Sequence, residues 1–128
     1  MSAESLPEAL QRFLAERIDS VEQLEILLLL AQDPTREWAA PDVARALYTH
    51  PDSAGRRLAV LQLQGVLART DGGAYRYAAA GTDTGALVSQ LAVAYRERRV
   101  SVIGLIASRP MDNVRAFSDA FRLKREDE

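Results

Sequence analysis

Residues 37–77, EWAAPDVARALYTHPDSAGRRLAVLQLQGVLARTDGGAYRY, decide the fold of this chain. Apolar residues recur at helical spacing over 41–48 and again over 53–64, and the turn at 49–51 lies between these two segments. Gly65 follows the second segment, at the position where a glycine commonly ends a helix. Two short segments, 66–69 and 75–77, then flank a tip at 71–73 that contains two glycines. The predicted order is therefore helix, turn, helix and β-hairpin.

Helical spacing also precedes this stretch. We predict an opening helix over 6–18 and a second helix that starts after Ser20 and runs to about Gln32. Ser20 and Gln23 have the spacing of a capping box at the start of that second helix. Beyond Glu25 the helix is apolar on every side, so we expect it to be the buried hub of the fold. We expect the short segment around Trp38 to pair with the hairpin over two residues.

From Thr82 onward the apolar spacing is helical again. We expect Thr82 or Asp83 to cap one helix of about 24 residues, which ends before Pro110 and is followed by a short last helix and a charged tail at 124–128. The chain is interpreted as one domain, with an N-terminal helix over 1–19, a core over 20–80 and C-terminal helices over 81–124. The predicted fold class is mainly α with a small β-hairpin.

Composition places the chain in the globular range and limits its chemistry. Of 128 residues, 48% are hydrophobic and 27% charged, and there is no cysteine, so disulfides and thiolate metal sites are excluded. The N-terminus has no basic run ahead of an apolar core, as a signal peptide would have. The longest wholly apolar run, 26–31, is far shorter than the roughly 20 residues of a membrane span. We expect a cytoplasmic protein with no membrane contact.

Charge is distributed unevenly along the chain. Residues 1–50 carry nine acids and four arginines, whereas 96–128 carry eight basic and six acidic residues. Proteins that bind duplex DNA usually have a strongly basic face. The weak basic excess in the second half is therefore a mild argument against DNA.

Nothing in the sequence has the pattern of a catalytic, metal or cofactor site. The glycines at 72 and 73 suit a hairpin tip, and no glycine-rich phosphate loop or nucleophile elbow is present. His50 is the only histidine, and we expect it to be structural or exposed. We expect no enzyme activity, no metal and no cofactor.

The pattern Leu58-x-x-Leu61-x-x-x-Gly65-Val66-Leu67 resembles the end of the recognition helix in the winged helix-turn-helix family of bacterial regulators, in the broad style of MarR-like and PadR-like proteins. The glycine-tipped hairpin is similar to the wing of that family, and the resemblance covers 20–77. It implies a winged helix-turn-helix core with an N-terminal helix and a long C-terminal helical extension. It also implies a DNA-binding transcriptional regulator that dimerises through its C-terminal helix.

The helix over 53–64 and the wing over 68–77 supply the candidate contacts to DNA or to another partner. If Ala54, Leu58 and Leu61 face the core, then Arg56, Ala59, Val60 and Leu63 face outward. The complete candidate set is Ser53, Arg56, Arg57, Ala59, Val60, Gln62, Leu63, Gln64, Arg69 and Arg76. For Ser53, capping of its own helix is the better explanation, although phosphate contact by Ser53 and Thr49 is the alternative.

Two functions stay open. In the first, a dimeric regulator places 53–64 in the major groove of double-stranded DNA, touches flanking backbone with the 69–76 ribbon and joins two copies through 85–107. The residues assigned to the homodimer contact are Leu87, Leu91, Tyr95, Val102, Leu105, Ile106, Phe117 and Phe121. In the second, a winged-helix adaptor binds a protein partner, without DNA, through the apolar face at 59, 60 and 63 or through the C-terminal helices.

Two further groups have alternative interpretations. Trp38, Tyr75 and Tyr77 form either an aromatic ligand pocket or, as we prefer, the contact that fixes the hairpin to the helices. The run at 96–99 is either a nucleic-acid patch or a solvated helix face with one internal ion pair.

Overall fold

The computed structural model describes residues 6–107, which form six helices and one antiparallel β-hairpin. In chain order the elements are α1 (Glu8–Arg17), α2 (Val21–Ala31), α3 (Ala40–Leu47), α4 (Pro51–Leu63), β1 (Leu67–Arg69), β2 (Tyr75–Tyr77), α5 (Asp83–Glu97) and α6 (Arg99–Ala107). The predicted class, mainly α with a small hairpin, is confirmed. The predicted last helix lies outside the described residues, as do Phe117 and Phe121.

Local signals account for the junction between α1 and α2. The Ser20 hydroxyl accepts a hydrogen bond from the Gln23 N–H at 3.1 Å and so caps α2, as predicted. The Gln23 side chain is fully buried; it donates to the Arg17 carbonyl and accepts from the Asp19 N–H. This one amide therefore satisfies backbone groups at the end of α1, which fixes the angle between the two helices.

Helix α2 is the hub that its composition predicts. It contacts α3, α4, α5, α6 and β2, and Leu24, Ile26, Leu27 and Leu30 are inaccessible to solvent. Burying a leucine side chain contributes about 2 kcal/mol, so these four residues account for a large part of the hydrophobic stabilisation.

The pair α3–α4 begins slightly earlier than predicted, and its caps differ. The N-cap of α4 is His50, whose Nδ1 accepts from the Asp52 N–H at 3.1 Å, and Pro51 occupies the first helical turn. The prediction that Ser53 caps this helix is wrong, because the helix has already begun at Pro51. The helical spacing over 41–48 also predicts Tyr48 on the inner stripe of α3, together with Val43, Ala44 and Leu47, and for Tyr48 this prediction is wrong. Tyr48 ends α3 in the left-handed region and is 96% exposed.

Gly65 ends α4 with a φ of 86°, which a residue with a Cβ adopts only with strain. The chain then enters β1, which pairs with β2 in the register Leu67↔Tyr77, Ala68↔Arg76 and Arg69↔Tyr75. Trp38 forms a two-residue bridge with Tyr75, since each backbone N–H donates to the carbonyl of the other at 2.8 Å. The pairing predicted for the Trp38 segment is confirmed.

The single long helix predicted after the hairpin is wrong. Thr82 caps α5 by accepting from the Gly85 N–H at 3.0 Å, as expected, but the helix stops at Glu97. Arg98 has φ −135° and ψ 52°, and a separate helix, α6, follows it. Because α6 contacts α1 and α2 and buries Val102 and Ile106, packing against those helices explains the interruption. No glycine or proline marks the break in the sequence.

None of the helices within 6–107 combines the length and the apolar character that crossing a membrane requires.

Candidate interaction surface on α4 and the hairpin

Helix α4 has an inner side, a flank toward α1 and α2, and an outer side. The inner side consists of Ala54, Leu58 and Leu61, all inaccessible to solvent, as the apolar spacing predicts. Gly55 lies against α3, where a Cβ would meet the Ala40 Cβ at 3.7 Å. With these residues facing inward, the positions opposite them on the helix are directed away from the core.

The outer side mixes one cation, one acid and apolar groups. Arg56 and Asp52 are exposed, Ala59 is half-buried, and Leu63 is 84% exposed. Arg56 makes no hydrogen bond or ion pair with any residue in the described part of the chain. Arg56 and Leu63 are exposed, as predicted, whereas Ala59 and Val60, which were also predicted to face outward, are both half-buried.

The flank facing α2 holds donors that the sequence assigned to a partner. Ser53 Oγ donates to Glu22 Oε1 at 2.6 Å, and Arg57 Nε donates to the same oxygen at 3.3 Å. The Thr49 hydroxyl donates to Glu22 Oε2. Two hydroxyls and one guanidinium, from the turn before α4 and from its first two turns, thus converge on one carboxylate of α2.

These contacts change the acidity of Glu22. Desolvation by burial raises the pKa of its carboxyl group, but the hydrogen bonds from Ser53, Thr49 and Arg57 act in the opposite direction and outweigh it. The net pKa of Glu22 lies below its ordinary value, so the carboxylate is charged at neutral pH. Glu22 therefore offsets the positive charge of Arg57.

The end of the same flank is also bonded within the chain. Gln64 Nε2 donates to the Arg17 carbonyl at 3.0 Å, which joins the end of α4 to the end of α1. Gln62 is half-buried, and no hydrogen bond holds its side chain. Ser53, Arg57 and Gln64, three of the candidate contacts, therefore have internal partners already.

The hairpin carries cations without acidic partners. Arg76 on β2 is exposed and unpaired within residues 6–107. Arg69 on β1 is exposed, and its guanidinium lies 5.5 Å from the centre of the Tyr75 ring. Arg36, which the sequence did not single out, lies 3.7 Å from the centre of the Trp38 ring. Stacking on an aromatic ring restricts a guanidinium and leaves its N–H groups able to donate.

Tyr48 is the exposed residue that sequence reasoning missed. It lies in the turn ahead of α4, with its side chain almost wholly in solvent and its φ at 57°. Helical spacing assigned it to the core, and only the left-handed backbone at the end of α3 turns it outward. An exposed aromatic ring beside the first turn of α4 adds stacking capacity to this surface.

The aromatic cluster of the hairpin is structural. Trp38, Tyr75 and Tyr77 are all buried in the core, so they fix the hairpin to the helices as preferred above. Burial also raises the pKa of the Tyr77 hydroxyl. A neighbouring cleft of about 430 Å³ lies between α2, β2 and α5, and Arg96 and Arg99 are among its lining residues. Arg99 is paired with Glu25 at 3.2 Å, which also accepts from the Tyr95 hydroxyl at 2.7 Å.

The residues assigned to a dimer contact belong to the core of one chain. Leu91 and Val102 are inaccessible, Tyr95 and Ile106 are buried, and Leu87 and Leu105 pack partly buried against the same core. Four of these six side chains thus have almost no exposed surface in a single chain, and their assignment to a homodimer contact stays a prediction. The exposed large apolar side chains of α5 and α6 are those of Val93 and Val100.

No cluster of three or more metal-ligating side chains occurs within 6–107. Comparison of the chain with protein-family models, with curated proteins and with solved structures found no match.

Proposed function

We propose that residues 36–78 form a winged helix-turn-helix module in which α3 and α4 are the two helices and β1 and β2 are the wing. Two observations support the assignment. The elements follow one another in the order that this module requires, and Trp38 pairs with Tyr75 as a short third strand beside the hairpin. In such modules the second helix is presented to a partner, most often in the major groove of DNA.

The proposed function is binding of double-stranded DNA by contacts to phosphates, as part of a transcriptional regulator. The observation that carries it is a set of exposed arginines without acidic partners, Arg56 on α4 and Arg76 on β2. Arg69 and Arg36, each held over an aromatic ring, extend this set on the hairpin side. Arginine donors fit phosphate oxygens well and supply affinity that does not depend on sequence.

Base readout by α4 is proposed to be limited. Bases are distinguished by hydrogen bonds to their edges, and Ser53, Arg57 and Gln64 use their donors within the chain. Arg56 is left to contact a base edge, while Leu63 and Ala59 suit the methyl group of thymine. The module is therefore expected to discriminate only weakly between one duplex sequence and another.

The test is the affinity of a mixed-sequence duplex, measured by fluorescence anisotropy at several salt concentrations. Arg56→Ala and Arg76→Ala should each weaken binding several-fold and reduce the slope of log K against log salt by about 1, because each removes one phosphate contact. The matched control is Arg12→Ala, an equal loss of charge on α1, where Arg12 is exposed and paired with Glu8.

Two results would overturn the proposal. One is the absence of salt-dependent binding by the wild-type chain. The other is an equal loss of affinity in Arg12→Ala, which would show that net charge matters and the α4–hairpin surface does not.

Binding of a protein partner is the second candidate, and the exposure of Leu63 favours it. A leucine that is 84% exposed at the C-terminal end of a presented helix is more usual at a protein interface than in a DNA groove. A photo-crosslinking residue placed at position 63 and irradiated in the native cells separates the two functions. An adduct removed by nuclease supports DNA, and one removed only by protease supports a protein partner.

A further inference from the structure

Glu22 occupies a place where an external anion would otherwise fit. Its carboxylate accepts hydrogen bonds from the Thr49 and Ser53 hydroxyls and from the Arg57 guanidinium. These three residues are spaced four apart, from the turn before α4 along one flank of the helix. Hydroxyls, a guanidinium and the start of a helix are also the donors that proteins use to bind phosphate. Here the chain supplies the anion itself.

We propose that Glu22 is an autoinhibitory carboxylate, which keeps Thr49, Ser53 and Arg57 from binding a DNA phosphate at the start of α4. This inference rests on the DNA-binding function proposed above. It assigns a regulatory role to a residue of α2, outside the helix-turn-helix pair, and it explains why a helix with Arg56 and Arg57 side by side offers one free cation and not two.

The cluster is accessible enough for competition. The side chains of Arg57 and Glu22 are 32% and 22% exposed, so an external phosphate can approach the guanidinium that the carboxylate now holds. A partly exposed ion pair of this kind contributes only about 1 kcal/mol or less to stability. A well-placed phosphate, which carries its charge on several oxygens, can replace a carboxylate in such a pair.

The position of α4 does not depend on this ion pair. Ala54, Leu58 and Leu61 hold the helix against α2 and α3 through fully buried contacts, and Gln64 bonds the far end of α4 to α1. Glu22→Gln removes the charge and one of the two acceptor oxygens, so it should weaken the hold on the three donors, above all on the Arg57 guanidinium, while α4 stays in place. For the same reason, the variants needed for the test should remain folded.

The experiment compares four chains for duplex affinity: wild type, Glu22→Gln, Arg57→Ala and the double variant. Glu22→Gln should bind the duplex several-fold more tightly and steepen the salt slope by about 1, because one more phosphate is contacted. Arg57→Ala should have little effect in the wild-type background and should abolish the gain in the Glu22→Gln background. This dependence on background is the signature of a donor that Glu22 withholds.

Loss of any acid near DNA raises affinity by general electrostatics, so a matched acid is needed. Asp52→Asn removes one carboxylate from the exposed first turn of α4, where the Asp52 side chain is 82% exposed and its Oδ2 lies 3.9 Å from His50 Nδ1. The increase in duplex affinity of Asp52→Asn should be smaller than that of Glu22→Gln, and it should persist when Arg57 is replaced by Ala. Glu22→Ala serves as a second variant, with thermal unfolding as the check on folding.

Titration with inorganic phosphate separates this inference from the DNA-binding proposal. In Glu22→Gln the NMR signal of the Arg57 Nε–H should shift and saturate with phosphate, whereas in the wild type it should not. If Arg57 binds phosphate in Glu22→Gln but none of the four chains binds the duplex, the proposed DNA-binding function is wrong. The inference that Glu22 blocks an anion site is still supported by that result. An unresponsive Arg57 in both chains, or an equal effect of Arg57→Ala on duplex binding in both backgrounds, overturns the inference.

Discussion

Glu22 shows how one side chain occupies the donors of a neighbouring helix. Its carboxylate neutralises Arg57 and orients Thr49 and Ser53, so these donors on the flank of α4 that faces α2 are bonded within the chain. The outer side of α4 keeps Arg56 free. Arg57 is therefore bonded within the chain because it faces a carboxylate, whereas its neighbour Arg56 faces solvent.

Acid should weaken the fold partly through Glu22. Its folded-state pKa is depressed, so the stability it contributes is present above the unfolded value of about 4.5 and is lost as pH falls through the lower folded value. Glu22→Gln should therefore lose less stability than the wild type between about pH 5 and pH 3. Urea unfolding at both pH values measures this effect.

The control for that comparison is Glu8→Gln, which removes an acid that is 87% exposed on α1. Its stability should follow the wild-type dependence on pH. If Glu22→Gln and Glu8→Gln respond to acid alike, the hydrogen bonds at Glu22 do not stabilise its charged form.

Replacement of Tyr48 should affect the stability of the fold and the affinity for DNA in different directions. Its left-handed φ of 57° costs about 1 kcal/mol for a residue with a Cβ, and its ring is 96% exposed. Tyr48→Gly should leave the free energy of unfolding unchanged or raise it by up to about 1 kcal/mol, while it weakens duplex binding through loss of the ring. Chemical denaturation and anisotropy measure the two effects.

Gly65→Ala is the control with the opposite sign. Gly65 has a φ of 86° and open space around it, so a Cβ adds backbone strain and no clash. It should lower stability by about 1 kcal/mol. A Tyr48→Gly chain that is clearly less stable than the wild type would show that the ring makes a contact that supports the fold.

At the scale of elements, the sequence predicted what local signals specify. Ser20 caps α2, Gly65 ends α4 and Thr82 caps α5, and each acts on residues close to it in the chain. The hairpin and its bridge to Trp38 also follow from short patterns. The six helices and two strands within 6–107 were therefore largely predictable, apart from the division of α5 from α6.

The errors come from contacts between residues distant in sequence. Arg98 interrupts the last helix without glycine or proline, and the packing of α6 on α1 and α2 accounts for it. Ser53 and Glu22 are 31 positions apart, so no window of sequence reveals that the hydroxyl is already bonded. The exposed side of α4 was predictable from the spacing of its apolar residues. The hydrogen bonds that Ser53, Arg57 and Gln64 make within the chain were not predictable.

Alanine substitutions at two glycines, one in α5 and one in α6, should change the free energy of unfolding in opposite directions. At Gly85, in the first turn of α5, a Cβ would lie 2.1 Å from the Ala79 carbonyl oxygen, which is backbone and cannot move aside easily. At Gly104, in α6, nothing lies within 4 Å of the same position. Gly104→Ala should stabilise the chain by about 0.5–1 kcal/mol, because alanine favours the helix.

Gly85→Ala should destabilise the chain by about 2 kcal/mol or more, since the clash exceeds the gain in helix propensity. Thermal unfolding of both variants tests the approach of the 79–82 turn to α5. A Gly85→Ala chain as stable as the Gly104→Ala chain would show that the turn lies farther from the helix.

At the scale of the whole molecule, α2 joins the two halves of the described chain. It packs against α3 and α4 on one side and against α5 and α6 on another, and it carries Glu22 toward α4 and Glu25 toward Tyr95 and Arg99. The same helix thus supplies the core and two charged contacts at its surface. Helix α4 is positioned by this hub, and Glu22 of α2 accepts the hydrogen bonds of Thr49, Ser53 and Arg57.

The central claim is that the outer side of α4 and the hairpin form the surface that meets duplex DNA. An NMR titration of the ¹⁵N-labelled chain with a short mixed-sequence duplex tests it most directly, because the amide signals report the contact residue by residue. The claim predicts shifts concentrated at Tyr48, Arg56, Leu63 and the 69–76 hairpin, which reverse when salt is raised. Shifts confined to α5 and α6, or no shifts at low salt, would contradict it.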